Sequence, residues 1–198
     1  METIESIKLV QAVKEGNAKA FNHLVNNWYQ KIYNYALKFI GDHERAMEIT
    51  QKTFIAVHQH IGQLKDAKLF KSWLYQIAIN YCREEGRKQK RKWIFPFVSF
   101  KQQDSQFAEV QDFIKTPQAN LEQEELNELL LKALALLPED QRAVVIMKEY
   151  EGLKFREIAQ VLNVSENTAK SRMYYGLKHL KKTFDEWNIN KENTYYEY

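Results

Sequence analysis

From Phe155 an apolar period of three and four residues runs to Leu162, stops for three residues, and starts again toward Leu180. Phe155, Ile158, Ala159 and Leu162 share one helical face. Asn163, Val164 and Ser165 interrupt the period, and Ala169, Met173, Leu177 and Leu180 carry the stripe of a second helix. Ser165 stands where a side-chain oxygen can accept from the first free N–H groups of that helix, so it reads as an N-cap. Two helices joined by so short a turn form a helix-turn-helix. The small Ala159 lets the second helix cross closely, and Val164 plugs the corner. The second helix points Glu166, Asn167, Thr168, Lys170, Ser171, Arg172 and Tyr175 outward, with Ser165 at its start. These are mainly hydrogen-bonding or basic groups, as a helix lying in a major groove requires. Spacing alone also fits a helical hairpin with a solvated face, so the rest of the chain has to decide.

The rest is helical too. Only 6 Gly and 3 Pro occur in 198 residues, which favours long helices over many short strands. Ile4, Ile7, Leu9, Val10 and Val13 outline a short helix. Ala20, Leu24, Trp28, Ile32, Tyr35, Ala36 and Phe39 outline a long one that Gly41-Asp42 stops. A third runs from His43 to His60 with Ala46, Ile49, Phe54 and Val57 inward. Residues 62–67 read as a loop, and a further helix starts near Lys68 with Leu69, Trp73, Leu74, Ile77, Ala78 and Tyr81. From Trp93 to Asn120 the period is lost between Pro96 and Pro117, in a stretch longer than loops inside a domain usually are. It reads as a flexible linker joining a domain over 1–92 to a second over 121–183, with a polar tail over 184–198. The second domain opens with a helix from Leu121 to Leu137, and Pro138 fits the first position of the helix that follows. The fold class is therefore all-α: two small helical domains, the second holding the helix-turn-helix.

Between Arg83 and Lys92 six of ten residues are basic and two acidic. Such a run is usually a solvated helix end. Trp73, Tyr75 and Tyr81 lie just upstream, however, and basic residues beside aromatics suit a single strand: charge for phosphates, ring faces for unstacked bases.

Several classes are disfavoured. The formal charge is only +3, so a nucleic-acid role rests on segregated rather than net charge. A single Cys82 rules out an internal disulfide and a Cys-based zinc site. The N-terminus lacks the order of a signal peptide, and no apolar run approaches the ~20 residues of a membrane span. There is no Gly-rich phosphate loop, metal-spaced His/Cys cluster or nucleophile elbow, and Glu44 with Glu48 on one helix face reads as solvated surface. The expectation is a cytoplasmic binding protein, not an enzyme, with no cofactor and no metal.

Two blocks carry a family resemblance. Phe70-Lys71-Ser72-Trp73-Leu74-Tyr75-Gln76-Ile77-Ala78-Ile79-Asn80, followed by the basic end, is similar to the F-x-x-W-L-x-x-I-A-x-N segment of the small extracytoplasmic-function group of bacterial sigma factors. Leu137-Pro138 through Arg142, Glu151-Gly152, Glu157-Ile158-Ala159 and Thr168-Ala169-Lys170-Ser171-Arg172 resemble the group's L-P…R…E-G…E-I-A…T-V-K-S-R pattern. The resemblance spans roughly Ala20 to Lys182. There are departures. Arg45 to Phe54 keeps Gln51, Thr53 and Phe54 of the group's D-A-E-D-L-V-Q-E-T-F, but Lys52 replaces an acid. Tyr175-Gly176 stands where Arg-Ala is common, and Ala169 replaces Val.

The resemblance implies a sigma factor that binds core RNA polymerase and promoter DNA. Its first domain would meet the β′ clamp helices through Glu48, Gln51, Lys52 and Phe54. It would take the melted minus-ten strand through Gln63, Lys65, Asp66, Asn80, Arg83, Arg87, Lys88, Lys90 and Arg91. Its second would meet the β flap and the minus-thirty-five duplex through Ser165, Glu166, Asn167, Thr168, Lys170, Ser171, Arg172 and Tyr175. An anti-sigma factor is a possible further partner. The rival reading is a free-standing helix-turn-helix regulator that binds duplex without polymerase; it leaves the Trp73 block unexplained.

Overall fold

Asn17 turns the chain from its first helix into its second. The computed structural model describes the backbone of residues 2–94 and 117–187 and the side chains of 5–88 and 126–187. Helix α1 spans Glu2–Lys14 and α2 spans Ala18–Ile40, with the Asn17 side chain accepting the Ala20 N–H at 3.1 Å. That satisfies one of the donors a helix start leaves free. Gly41 ends α2 in a left-handed conformation, φ 75°, and its N–H reaches the Leu37 carbonyl at 2.7 Å. Asp42 at once caps α3 (His43–His60) by accepting from the Arg45 N–H at 2.9 Å. A stop and a start in adjacent residues fold α3 back on α2.

Residues 62–67, expected as plain loop, are partly taken up by two single 3-10 turns, Ile61–Gln63 and Ala67–Leu69, which leave only 64–66 between them. The next helix, α4 (Phe70–Ile94), starts two residues later than its apolar period suggests. Leu69, expected inward, is therefore on the turn and exposed. Trp28, Tyr35, Phe70 and Tyr75 form the aromatic centre, Tyr75 meeting Tyr35 edge-on at 5.5 Å and Trp28 at 6.4 Å. Trp28 Nε1 donates to the buried Ser6 Oγ at 3.1 Å, which ties α1 to the bundle. Thr50 and Thr53 are buried but satisfied, each donating to the carbonyl four residues back at 2.7 Å.

Helix α5 spans Pro117–Leu136, and α6 spans Glu139–Val145 and widens into a π-helical turn, Ile146–Tyr150. Pro138 stands one residue earlier than expected, before α6 rather than in it; its carbonyl accepts from Gln141 and Arg142, both at 2.9 Å. Helix α7 is Phe155–Leu162 and α8 is Glu166–Glu186. No strand occurs among the described residues. The expected linker, 93–120, lies outside them except at its ends, where 93–94 continue α4 and 117–120 begin α5, and the expected tail, 184–198, is described only over 184–187, where α8 runs on to Glu186.

The inward face of α8 holds one correction. Leu177, expected on the apolar stripe, is exposed, and Gly176 faces inward instead. A Cβ on Gly176 would come to 2.8 Å from Val145 Cγ2, so the missing side chain is what lets α6 lie against α8.

The two helical regions pack on each other. Their buried side chains join in one cluster, bordered by polar contacts. Tyr75 donates to Glu151 Oε2 at 2.6 Å and Arg142 to the Phe39 carbonyl at 2.8 Å. Lys38 lies over the Tyr150 ring, and Ser72 donates to Gln160 at 3.3 Å.

Candidate nucleic-acid interface

The turn between α7 and α8 is built by Asn163. It adopts φ 52°, and the N–H of Val164 reaches the Ala159 carbonyl at 3.0 Å while that of Asn163 reaches Gln160 at 3.4 Å. This pair of bonds is a Schellman closure with asparagine in the left-handed place glycine usually takes. Ser165 then caps α8: its Oγ accepts from the Thr168 N–H at 3.0 Å. Ala159 is buried in the crossing and Val164 packs half-buried at the corner. At the other end of α7, Glu157 accepts from the Lys154 N–H at 2.7 Å. Local chemistry thus sets the two helices and the angle at which α8 leaves the body.

The start of α8 presents Ser165, Glu166, Asn167, Thr168, Lys170, Ser171 and Tyr175 to solvent. The positive helix end and free N–H groups suit a phosphate there. Arg172 does not share this exposure. It is half-buried and donates to Asp140 Oδ2 at 2.5 Å, so the structure gives it an internal partner at the α6 start. Tyr174 is strongly exposed beside Tyr175, the rings meeting edge-on at 5.4 Å; reading the face by spacing alone passed over Tyr174.

The other set of residues lies on the 61–69 segment and α4. Ile61 and Leu64 are buried anchors, and the Leu64 carbonyl accepts from Lys14 Nζ at 2.8 Å. Gln63, between them, and Lys65, just after Leu64, are exposed to solvent. Asp66 is partly committed: its Oδ1 accepts from the Lys68 N–H at 2.9 Å. Asn80, Arg87 and Lys88 are exposed along α4. Lys88 pairs with Glu84 at 2.7 Å; that hydrogen bond holds the Glu84 carboxyl below its usual range and raises Lys88. Lys90 and Arg91 have side chains outside the described residues. Arg83 is turned aside, donating through Nε to Glu139 at 3.1 Å and through Nη2 to Asp140 at 2.8 Å. The upstream aromatics are not a free stacking platform. Tyr75 is core, Trp73 and Tyr81 are half-buried, and the Tyr75 hydroxyl is spent on Glu151.

A third surface lies between α2 and α3. An apolar groove of about 780 Å³ is lined by Phe21, Val25, Tyr29, Gln51, Phe54 and Ile55, among others. Glu48, Gln51 and Lys52 are exposed beside it, with Lys52 paired to Glu48 at 3.1 Å. Phe54 is not a surface residue: it is buried and stacks on Tyr29, centroids 6.1 Å apart. The exposed apolar residue here is Ile55, one position on, at 58%. A helix period that places Phe54 inward places Ile55 outward, so the signal for it was in the sequence.

Cys82 is fully buried, and burial pushes its thiol far up, which suits packing rather than reactivity. No cluster of His, Cys, Asp or Glu among the described residues is arranged to hold a metal, and none of their helices is long and apolar enough to cross a membrane.

Comparison with known proteins follows the same division. The family model for sigma-70 region 2 matches residues 24–92, and that for sigma-70 region 4 matches 127–180. The RNA polymerase sigma-H factor of Pseudomonas aeruginosa is 28% identical over 84% of this chain and 87% of its own length. The ECF RNA polymerase sigma-E factor of Haemophilus influenzae is 26% identical over 87% and 92%, and the ECF sigma factor SigW of Bacillus subtilis 27% over 88% and 94%. Among solved structures, CnrH in complex with the cytosolic domain of CnrY superposes with a TM-score of 0.68 at 20% identity, over 92% of this chain and 98% of that one. The sigma factor RpoE of Bartonella quintana, in complex with the anti-sigma factor NepR, gives 0.62 at 19%, over 85% and 98%. These two likenesses concern the fold.

Proposed function

Because the chain belongs to the extracytoplasmic-function group of the sigma-70 family, we propose that it binds core RNA polymerase and directs promoter-specific initiation, reading minus-thirty-five duplex and melted minus-ten strand. The observation that carries this reading is the occurrence of both family blocks in order, with a capped helix-turn-helix in the second.

Sigma factors are DNA-binding initiation factors, and this one performs no bond chemistry. Its α8 enters the major groove with Ser165, Glu166, Asn167, Thr168, Lys170, Ser171 and Tyr175 toward bases and phosphates. Asn80 with Gln63, Lys65 and Asp66 meets the non-template strand as bases leave the stack, and Arg83, Arg87, Lys88, Lys90 and Arg91 follow its phosphates. Binding the unstacked state better than the paired one shifts the equilibrium toward melting. The groove between α2 and α3, with Ile55 at its rim, supports docking of the clamp helices of β′, and Glu48, Gln51 and Lys52 supply its polar edge. Such a factor works where polymerase and chromosome are, in the cytoplasm. An anti-sigma factor is a further partner suggested by the solved complex of RpoE with NepR.

The test is transcription in vitro with purified core polymerase and mapping of the start sites. Starts at a common pair of elements, dependent on this chain, are the expected result. Tight, specific duplex binding without polymerase, and no effect on initiation, would favour the free-standing regulator instead.

A further inference from the structure

We propose that Lys14 is a positioning residue for minus-ten recognition: its ammonium, carried on α1, holds the Leu64 carbonyl and so fixes the backbone from which Gln63, Lys65 and Asp66 meet the unstacked strand. The proposal rests on the reading of those three residues as contacts to melted bases.

Ile61 and Leu64 bury their side chains, while Gln63, Lys65 and Asp66 are exposed. The Leu64 N–H reaches the Ile61 carbonyl at 3.2 Å and closes the first turn; the Leu69 N–H reaches the Asp66 carbonyl at 3.0 Å and closes the second. Between the turns the backbone is extended, at φ −70° and ψ 105° for Leu64 and φ −122° and ψ 116° for Asp66. Lys14 Nζ enters at this point, donating to the Leu64 carbonyl at 2.8 Å. The peptide that follows Leu64 is planar and trans, so fixing its carbonyl also fixes the Lys65 N–H, which points the opposite way. Hydrogen bonds to base edges tolerate little error in length or angle. A loop aimed beforehand therefore discriminates better than one that must be ordered on contact.

Helix α1 is built to hold the ammonium there. Ser6, Val10 and Lys14 stand four residues apart, in one row along the helix. Ser6 Oγ is tied to Trp28 Nε1 and Val10 is fully buried, so the row is anchored at two points before it reaches Lys14. Gly16, at φ 89°, ends the helix at once: its N–H meets the Val13 carbonyl at 2.9 Å, and that of Asn17 meets the Ala12 carbonyl at 3.0 Å. Farther back, Ser6 and Ile7 face Ala67, Lys68 and Phe70 across a cavity of only about 40 Å³, so α1 also abuts the second turn. A lysine in the last turn of a helix ordinarily answers the helix dipole and stays in water. Lys14 instead reaches a carbonyl 50 residues on, outside its own helix.

The test is transcription by the full chain with core polymerase from a promoter library randomised over the minus-ten and minus-thirty-five elements. Lys14→Met keeps most of the stem and removes the donors. The bond is charge-assisted, but Lys14 is largely exposed, so the expected loss of minus-ten base discrimination is about threefold to tenfold. Minus-thirty-five preference stays as in the parent, and Lys14→Arg, which keeps a charged donor, restores most of the minus-ten preference. Hydrogen exchange over 62–69 in the free chain speeds up in Lys14→Met and not in Lys14→Arg. Circular dichroism checks that each variant is folded. Gln63→Ala with Lys65→Ala serves as the direct test of the loop. If that pair flattens minus-ten preference while Lys14→Met does not, the positioning role is overturned and the reading of the loop stands. Faster exchange with unchanged preference also overturns it, as does an equal loss of preference at both elements, which marks a general structural effect. If no promoter depends on the parent chain, or the loop pair leaves minus-ten preference unchanged, the underlying reading fails and the proposal falls with it.

Discussion

Replacing Gly176 by alanine sets two effects of opposite sign against each other. Alanine is the better helix former by about 1 kcal/mol. Its Cβ would lie 2.8 Å from Val145 Cγ2 and 3.5 Å from Gln141 Cβ. Carbon pairs settle at about 3.5–4.0 Å, so the first contact is short by about 0.7 Å or more. Val145 is buried and β-branched, with one favoured rotamer in a helix, so it has no easy retreat. Overpacking of this kind costs about 1–3 kcal/mol. The sum is a net loss of about 1 kcal/mol for Gly176→Ala, read from urea denaturation followed by helical circular dichroism. In a Val145→Ala background the clash is gone, and Gly176→Ala becomes stabilising by about 1 kcal/mol. A change of sign between the two backgrounds is the signature of the contact. If Gly176→Ala stabilises the parent chain, the close approach of α6 and α8 is not what requires glycine.

Ser165→Ala removes the cap on α8 and lowers stability by about 1 kcal/mol, measured by the same denaturation. Lys170→Ala weakens promoter-duplex binding by the complex with core polymerase on all sequences alike and reduces the slope of log affinity against log salt by about one, read from fluorescence anisotropy at several salt concentrations. Ile55→Asp puts a charge on an exposed apolar residue at the rim of the groove; it lowers affinity for core polymerase about tenfold or more in pull-down titrations while leaving the helical signal unchanged. Burial holds the Glu151 carboxyl above its ordinary value of 4.5, against the lowering effect of the hydrogen bond from Tyr75. The folded chain thus keeps this proton better than the unfolded one, so the group's contribution to stability falls as pH rises from 4.5 through its folded pKa. Glu151→Gln, which still accepts from Tyr75, is accordingly more stable than the parent near pH 7, and the difference shrinks toward pH 4.5 in urea midpoints.

Much of the candidate site was legible because it is local. The break at Asn163, the cap at Ser165 and the exposure of Glu166, Asn167, Thr168, Lys170 and Ser171 around the buried Ala169 depend on residues three or four positions apart. The misses share another cause. Leu177 was read inward by period, but Gly176 faces in because α6 approaches there. Tyr75 was read as a neighbour of the basic run, yet it is held in the core by Trp28 and Tyr35. Phe54 was assigned to a surface by family pattern, although its own helical period had placed it inward, where Tyr29 covers it.

The amino-acid sequence by itself determined the helices, their caps and the order of the two regions. Apolar spacing at 3.6 residues per turn and side-chain caps act within a turn or two of chain, whatever else the chain does. Only the tertiary structure decided which charged groups meet. Arg83, Asp140 and Arg172 are separated by 57 and 32 residues, and no local rule brings them together. Each could have stayed in water at little cost, since exposed ion pairs contribute little. Their meeting follows from the packing of α4 and α8 on the start of α6, which is set by buried volume across the whole molecule.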